Sequence, residues 1–192
     1  MYHTWIPEDI ERAADVIKTG GLILYPTDTI WGIGCNATNP DAILKVSKLK
    51  NRPPGKSFVI LVSSIEMLKS YAHDIHPRIE TLLEYHKQPL TIIYPHTTSL
   101  PEELKAPDGS IAIRVTMDSF CQQLIEQLGY PLLSTSANLA GYPPANTFGE
   151  ISSYFITAVN YVCKHRQGSK EYKAPSVIAT FDRSGALDII RE

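Results

Sequence analysis

The sequence predicts one α/β domain over residues 1–192, built on a mixed β-sheet. Short apolar runs typical of buried strands alternate along the chain with segments whose apolar residues recur at helical spacing. Such alternation favours a sheet flanked by helices. No internal repeat, low-complexity tract or linker-like stretch divides the 192 residues, which are enough for one well-buried core.

The first half of the chain carries two strong helix signals. One helix is expected between Pro7, which suits a first helical turn, and the stop signal Gly20-Gly21. A second helix begins at Asn39-Pro40, where Asn is a good cap and Pro suits the first helical position. Apolar runs at 22–25 and 58–62 predict buried strands. The apolar faces of the two helices are Ile10, Ala13, Ala14 and Ile17 in the first and Ile43, Val46 and Leu49 in the second.

The second half begins with two short amphipathic stretches, around 65–68 and 79–83, which predict short helices. A longer helix is expected between the cap Asp118 and the terminator Gly129. Thr147 and Glu150 have the spacing of a capping box. The remaining strands are predicted at 90–94, 111–115, 132–133 with a Ser/Thr-rich end, 159–162, 177–181 and 187–190.

Composition excludes several classes of protein. The net charge of −2 argues against a protein whose main function is to coat nucleic acid. No apolar run approaches the ~20 residues that span a bilayer, and the first residues lack the basic and apolar segments of a signal peptide. We therefore expect a cytoplasmic protein without membrane contact. Three widely spaced cysteines predict free thiols. His73 and His76 lack metal-site spacing, so we expect them on a surface helix and predict no dedicated metal ligands.

The first candidate site segment runs from Tyr25 to Gly34. It follows a buried strand, and ligands of open α/β sheets bind in the loops beyond strand ends. Hydroxyls and a carboxylate are offered there by Thr27, Asp28 and Thr29. The glycines do not form a dinucleotide-binding motif, because they lie too far from the strand and the region ~20 residues on is basic. A structural turn rich in Thr and Gly is the alternative.

The second candidate segment is basic, with no acidic residue between Asp41 and Glu66. A solvated helix face is the alternative interpretation. However, Lys50 and Arg52 lie at or beyond the helix end, where cations suit a polyphosphate. It is not a P-loop, because the first glycine is missing and a strand follows. The basic residues of the segment are Lys45, Lys48, Lys50, Arg52 and Lys56.

The third candidate segment spans 134–144 at the end of a predicted strand. Several neutral donors and acceptors converge there, and buried hydroxyls need partners. A ligand is one such partner, and capping of the next turn is the other. No G-x-S-x-G motif accompanies the serines, which argues against a hydrolase. The polar residues are Ser134, Thr135, Ser136 and Asn138.

Taken together, the motifs Y-P-T-D-T-x-W-G-x-G, L-K-N-R-P and S-T-S-A-N resemble the YrdC family of threonylcarbamoyl-adenylate synthases, in order and spacing, from about Gly21 to Arg191. The resemblance implies a twisted mixed sheet flanked by helices around a deep, positively charged cavity. The related YciO proteins share the fold and usually lack the K-x-R and S-x-N signature. In this chain that signature, to which the resemblance assigns catalysis, is Lys50, Arg52, Ser136 and Asn138.

The same resemblance assigns binding residues by position. ATP would contact Lys50, Arg52, Lys56, Ser110, Ser136 and Arg191. Threonine would contact Thr29, Arg114, Ser134 and Ser176. Three positions depart from the family pattern: Lys56 stands where many relatives have Asn, Leu61 where many have His, and Pro144 where a Ser is frequent.

The activity that the resemblance implies is that of a nucleotidyltransferase which joins L-threonine, bicarbonate and ATP, the last with Mg²⁺. Its product would supply a tRNA threonylcarbamoyl transferase complex, and contact with tRNA or double-stranded RNA is expected as a further property. Two other readings stay open. One is a module that binds structured RNA without catalysis. The other is a carbamoyl-adenylate module like that of hydrogenase maturation factors, although those longer chains carry zinc-binding cysteines.

Overall fold

The computed structural model of the protein describes residues 6–52, 57–139 and 141–191. Within these ranges one mixed sheet has nine strands, in the spatial order β7-β1-β2-β6-β3-β5-β4-β8-β9. The strands are β1 Ile23–Tyr25, β2 Gly32–Asn36, β3 Val59–Val62, β4 Leu90–Tyr94, β5 Ile111–Val115, β6 Leu132–Ser136, β7 Tyr161–Val162, β8 Val177–Phe181 and β9 Leu187–Arg191. Among these described strands, three neighbouring pairs are parallel (β1 with β7, β3 with β5, β4 with β8) and the other five are antiparallel, which makes the sheet mixed.

Helices flank this sheet, so the predicted α/β class is confirmed. They are α1 Ile6–Lys18, α2 Pro40–Leu49, α3 Ile65–Lys69, α4 Pro77–Tyr85, α5 Ser119–Leu128 and α6 Ser153–Ala158, with 3₁₀ turns at Glu102–Leu104 and Phe148–Glu150. The predicted N-terminal caps of α2 and α5 are confirmed. The side chain of Asn39 accepts from the Ala42 N–H, and that of Asp118 accepts from the Cys121 N–H. Gly129 ends α5 in the left-handed conformation, at φ +75°, which glycine adopts without strain.

Three local predictions are wrong. The segment expected as a loop up to Gly34 contains the start of β2. The strand was not predicted because glycine has a low propensity for strands, and two of its residues are glycines. Thr147 precedes a 3₁₀ turn, and its side chain makes no capping hydrogen bond there. His73 and His76 lie before α4 instead of on a helix, and the Nδ1 atom of His76 accepts from the Arg78 N–H.

The two faces of the sheet are covered differently. One face packs against α2, α3 and α4, with Ile43 and Leu68 in its core. The other packs against α1 and α5, and its core includes Tyr25, Leu61 and Leu132 from β1, β3 and β6. Helices α1 and α5 do not cover the part of this sheet face between β2 and β9, where the cavity described below lies.

The described part of the chain has no helix that is both long and apolar enough to cross a bilayer. All three cysteines (Cys35, Cys121 and Cys163) are buried and unpaired, as the sequence predicted. Burial raises the pKa of the Cys35 thiol to about 12, so this group stays protonated at neutral pH.

Candidate functional site

A cavity of about 430 Å³ opens on the sheet face that α1 and α5 share. This volume lies in the usual range of small-molecule sites. Among the described residues that line it there is no Asp or Glu, which suits an anionic ligand. Its polar and charged lining consists of Thr27, Thr29, Arg52, Ser57, Arg114, Ser134, Thr135, Ser136, Asn138, Ser176 and Arg191.

Strand register brings the lining residues together. Residues directly opposite each other on neighbouring strands project to the same face of a sheet. Val59 on β3 pairs with Ala112 on β5 and with Ser134 on β6. Gly32 on β2 pairs with Ser136 on β6. Segments far apart in the chain therefore form one continuous cavity floor.

Eight of the predicted site residues line this cavity: Thr29, Arg52, Arg114, Ser134, Ser136, Asn138, Ser176 and Arg191. Two others lie outside its lining. Lys50 is buried behind it, and Ser110 donates from its hydroxyl to Asp108 at 2.7 Å, just before β5. Lys56 lies outside the residues that the structure describes. Of the departures from the family pattern, Leu61 is buried against α5 and Pro144 lines the cavity.

Arg114 is buried at the cavity wall and is held by groups from the 26–31 loop. Its Nη1 donates to the Thr29 hydroxyl at 3.2 Å, and its Nη2 lies 3.2 Å from a carboxylate oxygen of Asp28. The Asp28 oxygens are buried and make no hydrogen bond among the described residues, so this carboxylate is held by charge. The Nε of Arg114 is also buried without a partner, which leaves a donor available to a ligand.

The 26–31 loop is itself fixed by short contacts. The Thr27 hydroxyl donates to the Ile30 carbonyl at 2.8 Å and lies 2.9 Å from the Thr29 hydroxyl. Arg166 donates to the Thr27 carbonyl at 3.2 Å and contacts the Asp118 carboxylate at 2.5 Å. Sequence reasoning missed Arg166, because 139 positions separate it from Thr27 and no local pattern marks it.

Lys50 ties the end of α2 to the segment 136–138. Its Nζ donates to the carbonyl oxygens of Ser136 and Asn138. Only 5% of the residue is exposed. Burial, and then the charge of Arg52, lower the pKa of Lys50 to about 8. The position of Lys50 thus braces the backbone that presents Ser136 and Asn138 to the cavity.

Two further cations border the cavity. The guanidinium of Arg52 lies 4.3 Å from the ring centroid of Phe58 and donates to the Ser57 carbonyl at 2.5 Å. Burial lowers the pKa of Arg52. Arg191 on β9 donates to the Ser176 carbonyl at 3.0 Å, and the Ser176 hydroxyl lies 2.8 Å from that of Thr91. With Arg114, three arginines surround the cavity, although the depth expected from the resemblance stays a prediction.

Two solved structures share this fold. P. abyssi Sua5 complexed with L-threonine superposes with a TM-score of 0.83 and 23% identity, over 95% of this chain and 53% of that one. This chain therefore spans about half of that protein's length. E. coli YciO superposes with a TM-score of 0.82 and 24% identity, over 95% of this chain and 88% of that one.

Sequence comparisons identify the family of the chain as well as its fold. A curated threonylcarbamoyl-AMP synthase of Stutzerimonas stutzeri (strain A1501) is 34% identical over 179 residues, which cover 93% of this chain and 95% of the relative. The profile of the Sua5/YciO/YrdC family, described as "Telomere recombination", matches residues 15–192. Because both matches extend over nearly the whole sequence, the chain belongs to the Sua5/YciO/YrdC family.

Proposed function

We propose that this chain is a threonylcarbamoyl-AMP synthase, which converts L-threonine, bicarbonate and ATP into threonylcarbamoyl-AMP, pyrophosphate and water. The observation that carries this function is the convergence of Arg52, Ser136 and Asn138 with Thr29 and Arg114 on one cavity. Curated relatives named for this activity cover most of the chain. The enzyme is a transferase of the nucleotidyl class.

The threonine subsite is built around Arg114. The guanidinium is a planar donor that matches a carboxylate. Because Thr29 and Asp28 already hold its two terminal nitrogens, the planar guanidinium and its five N–H donors are oriented before substrate arrives. The Nε–H and the remaining terminal hydrogens are left for the substrate carboxylate. Hydroxyls of Ser134 and Ser176 border the same space.

The ATP subsite relies on charge. Arg52 and Arg191 line the cavity and neutralise phosphate oxygens, while Ser136 and Asn138 offer neutral hydrogen bonds. Magnesium enters with the nucleotide as Mg-ATP, because its hard oxygen ligands are supplied by phosphates and water. Lys56 and Ser110 belong to this subsite by resemblance. Ser110 directly precedes β5, whose Ala112 and Arg114 line the cavity, and Lys56 lies outside the described residues.

The chemistry has two steps. Bicarbonate takes up a proton and loses water to give carbon dioxide, which the threonine amine attacks; the amine then loses a proton, which gives a carbamate. A carbamate oxygen then attacks the α-phosphorus of ATP, and the bond to the β-phosphate oxygen breaks to release pyrophosphate. Positioning and charge stabilisation provide the catalysis, since no protein nucleophile is needed. The described lining residues include no imidazole or carboxylate, so the amine proton leaves through substrate or water.

The biological setting follows from the product. Threonylcarbamoyl-AMP is an activated acyl donor, and a tRNA threonylcarbamoyl transferase complex in the cytoplasm would consume it. Contact with tRNA or double-stranded RNA is a further proposal. A module that binds RNA without catalysis is not favoured, because the net charge is −2 and the relatives are named as synthases.

Pyrophosphate release from Mg-ATP tests the function. We expect release to require both threonine and bicarbonate, each omitted in turn, and mass spectrometry to detect threonylcarbamoyl-AMP. Release that is independent of threonine would contradict the proposal. Salt-sensitive RNA binding without threonine-dependent release would support the RNA-binding alternative instead.

A further inference from the structure

Tyr25 makes a hydrogen bond that crosses a whole strand. It lies on β1, whereas its partner Ser134 lies on β6, and β2 runs between them. The Tyr25 hydroxyl nevertheless donates to the Ser134 Oγ at 2.7 Å. Since neighbouring strands are ~4.8 Å apart, the tyrosine side chain has to lie across the backbone of β2 to reach β6.

The two glycines of β2 make this crossing possible. A Cβ at Gly34 would lie only 2.7 Å from the Cε1 atom of Tyr25. A Cβ at Gly32 would lie 3.3 Å from the Ser134 Oγ and 3.5 Å from the same ring atom. Neither glycine has a positive φ, so what they provide is space for the ring. The Gly-x-Gly pattern is thus accounted for by a side chain of this protein.

The Tyr25 hydroxyl is the donor in this hydrogen bond, because Ser134 Oγ is its one hydrogen-bond partner among the described residues and its buried hydrogen would otherwise have no acceptor. Tyr25 is fully buried in the core formed with α1 and α5. Burial raises its pKa well above the ordinary value, so the phenol keeps its proton. A serine hydroxyl has a single hydrogen and two lone pairs. Because Ser134 accepts from Tyr25, its own hydrogen is free to point into the cavity that Ser134 lines.

We propose that Tyr25 is a positioning residue that, by donating to Ser134, fixes the Ser134 hydroxyl as a hydrogen-bond donor to an oxygen of the bound amino acid substrate. This inference rests on the proposed function. The oxygens of the substrate carboxylate and of its carbamate only accept hydrogen bonds, so a serine with a fixed outward hydrogen complements them. A freely rotating hydroxyl would have to give up that freedom on binding.

Tyr25→Phe tests the inference, because the ring remains and only the hydroxyl is lost. We expect the KM for threonine to rise about fivefold, the value of one lost hydrogen bond, with kcat, the KM for ATP and Tm nearly unchanged. Ser134→Ala raises the threonine KM at least as much, and the double variant behaves like Ser134→Ala alone. Tyr94→Phe is the matched control, since Tyr94 is buried in the core of the opposite face.

Three results would overturn the positioning role. The first is an unchanged threonine KM in Tyr25→Phe. The second is a double variant whose effects multiply, because Tyr25 would then act independently of Ser134. The third is a lower Tm with equal increases in both KM values, which would assign Tyr25 to packing. Failure of the proposed function is a separate outcome, because wild-type protein would then release no threonine-dependent pyrophosphate.

Discussion

Lys50 is a residue whose position suggests an indirect role in nucleotide binding. Its ammonium donates to two backbone carbonyls of the segment 136–138 instead of lining the cavity. Hydrogen bonds from a charged donor are stronger than those from a neutral amine. Loss of the Lys50 charge would therefore loosen the backbone that presents Ser136 and Asn138 to the proposed ATP subsite.

The pH dependence of activity measures this effect. Because its pKa is about 8, Lys50 is charged below that pH and loses its proton as the pH rises through it. We expect kcat/KM for ATP to fall about tenfold between pH 7.5 and pH 9, following the charged fraction. Lys50→Arg, although less active, keeps its charge and lacks this fall. The activity ratio of the two proteins at each pH cancels effects of pH on the substrates.

The control for this experiment is Lys48→Arg, on the exposed face of the same helix. It makes the same chemical change away from the segment 136–138 and keeps the wild-type profile. Identical alkaline falls in wild type and Lys50→Arg would show that another group titrates, and would contradict the bracing role.

At the scale of elements, the signals that predicted structure correctly were local. The caps Asn39 and Asp118 and the terminator Gly129 act within four residues, so the sequence alone locates α2 and α5. The β2 strand escaped prediction because its identity depends on pairing with β1 and β6 on either side. Its glycines have low strand propensity, and the position of the Tyr25 ring explains why these residues lack a side chain.

The candidate site also has features that local sequence patterns predict and features that they do not. Arg52, Ser136 and Asn138 were recognisable because they lie within short motifs. The contacts that orient the site were not, because each joins distant positions: Arg114 and Thr29 are 85 residues apart, and Tyr25 and Ser134 are 109 apart. Local patterns carry no information about such pairs, so these contacts could be identified only from the register of the sheet.

The attachment of α1 depends on one buried carboxylate. Asp9 accepts hydrogen bonds from the Tyr161 hydroxyl at 2.7 Å and from the N–H groups of Lys164 and His165 at 2.9 and 2.8 Å. These contacts join the first turn of α1 to β7 and to the segment that follows it. Because the residue is 2% exposed, water cannot replace a lost partner.

We expect Asp9→Asn to lower the free energy of unfolding by about 2 kcal/mol, since the amide can accept at only one atom and its NH₂ faces a backbone donor. For a chain of this length that lowers Tm by roughly 4–8 °C, as calorimetry would measure. Asp15→Asn, on the exposed side of α1, is the matched control and leaves Tm unchanged. Equal Tm values for both variants would contradict the role of Asp9.

At the scale of the whole molecule, the cavity brings together segments that are far apart in the chain. Its lining begins at Thr27 and ends at Arg191, and it includes residues of the strands from β2 to β9. Arg191 lies on the edge strand β9, which the sheet order places seven positions from β1. A ligand in the cavity therefore binds groups that only the complete sheet brings together, and it stabilises the folded state by mass action.

Thermal unfolding with ligand tests this long-range assembly. Mg-ATP at a hundred times its Kd adds about 2.7 kcal/mol of stability, and we expect Tm to rise by roughly 5–10 °C. Arg191→Ala removes one charged contact and weakens binding about tenfold, so about half of the shift disappears at the same ATP concentration. Arg183→Ala, an exposed arginine outside the cavity lining, keeps the full shift. An equal ATP-dependent shift in Arg191→Ala would mean that β9 contributes nothing to nucleotide binding, and the subsite would then have to be assigned to Arg52 and its neighbours alone.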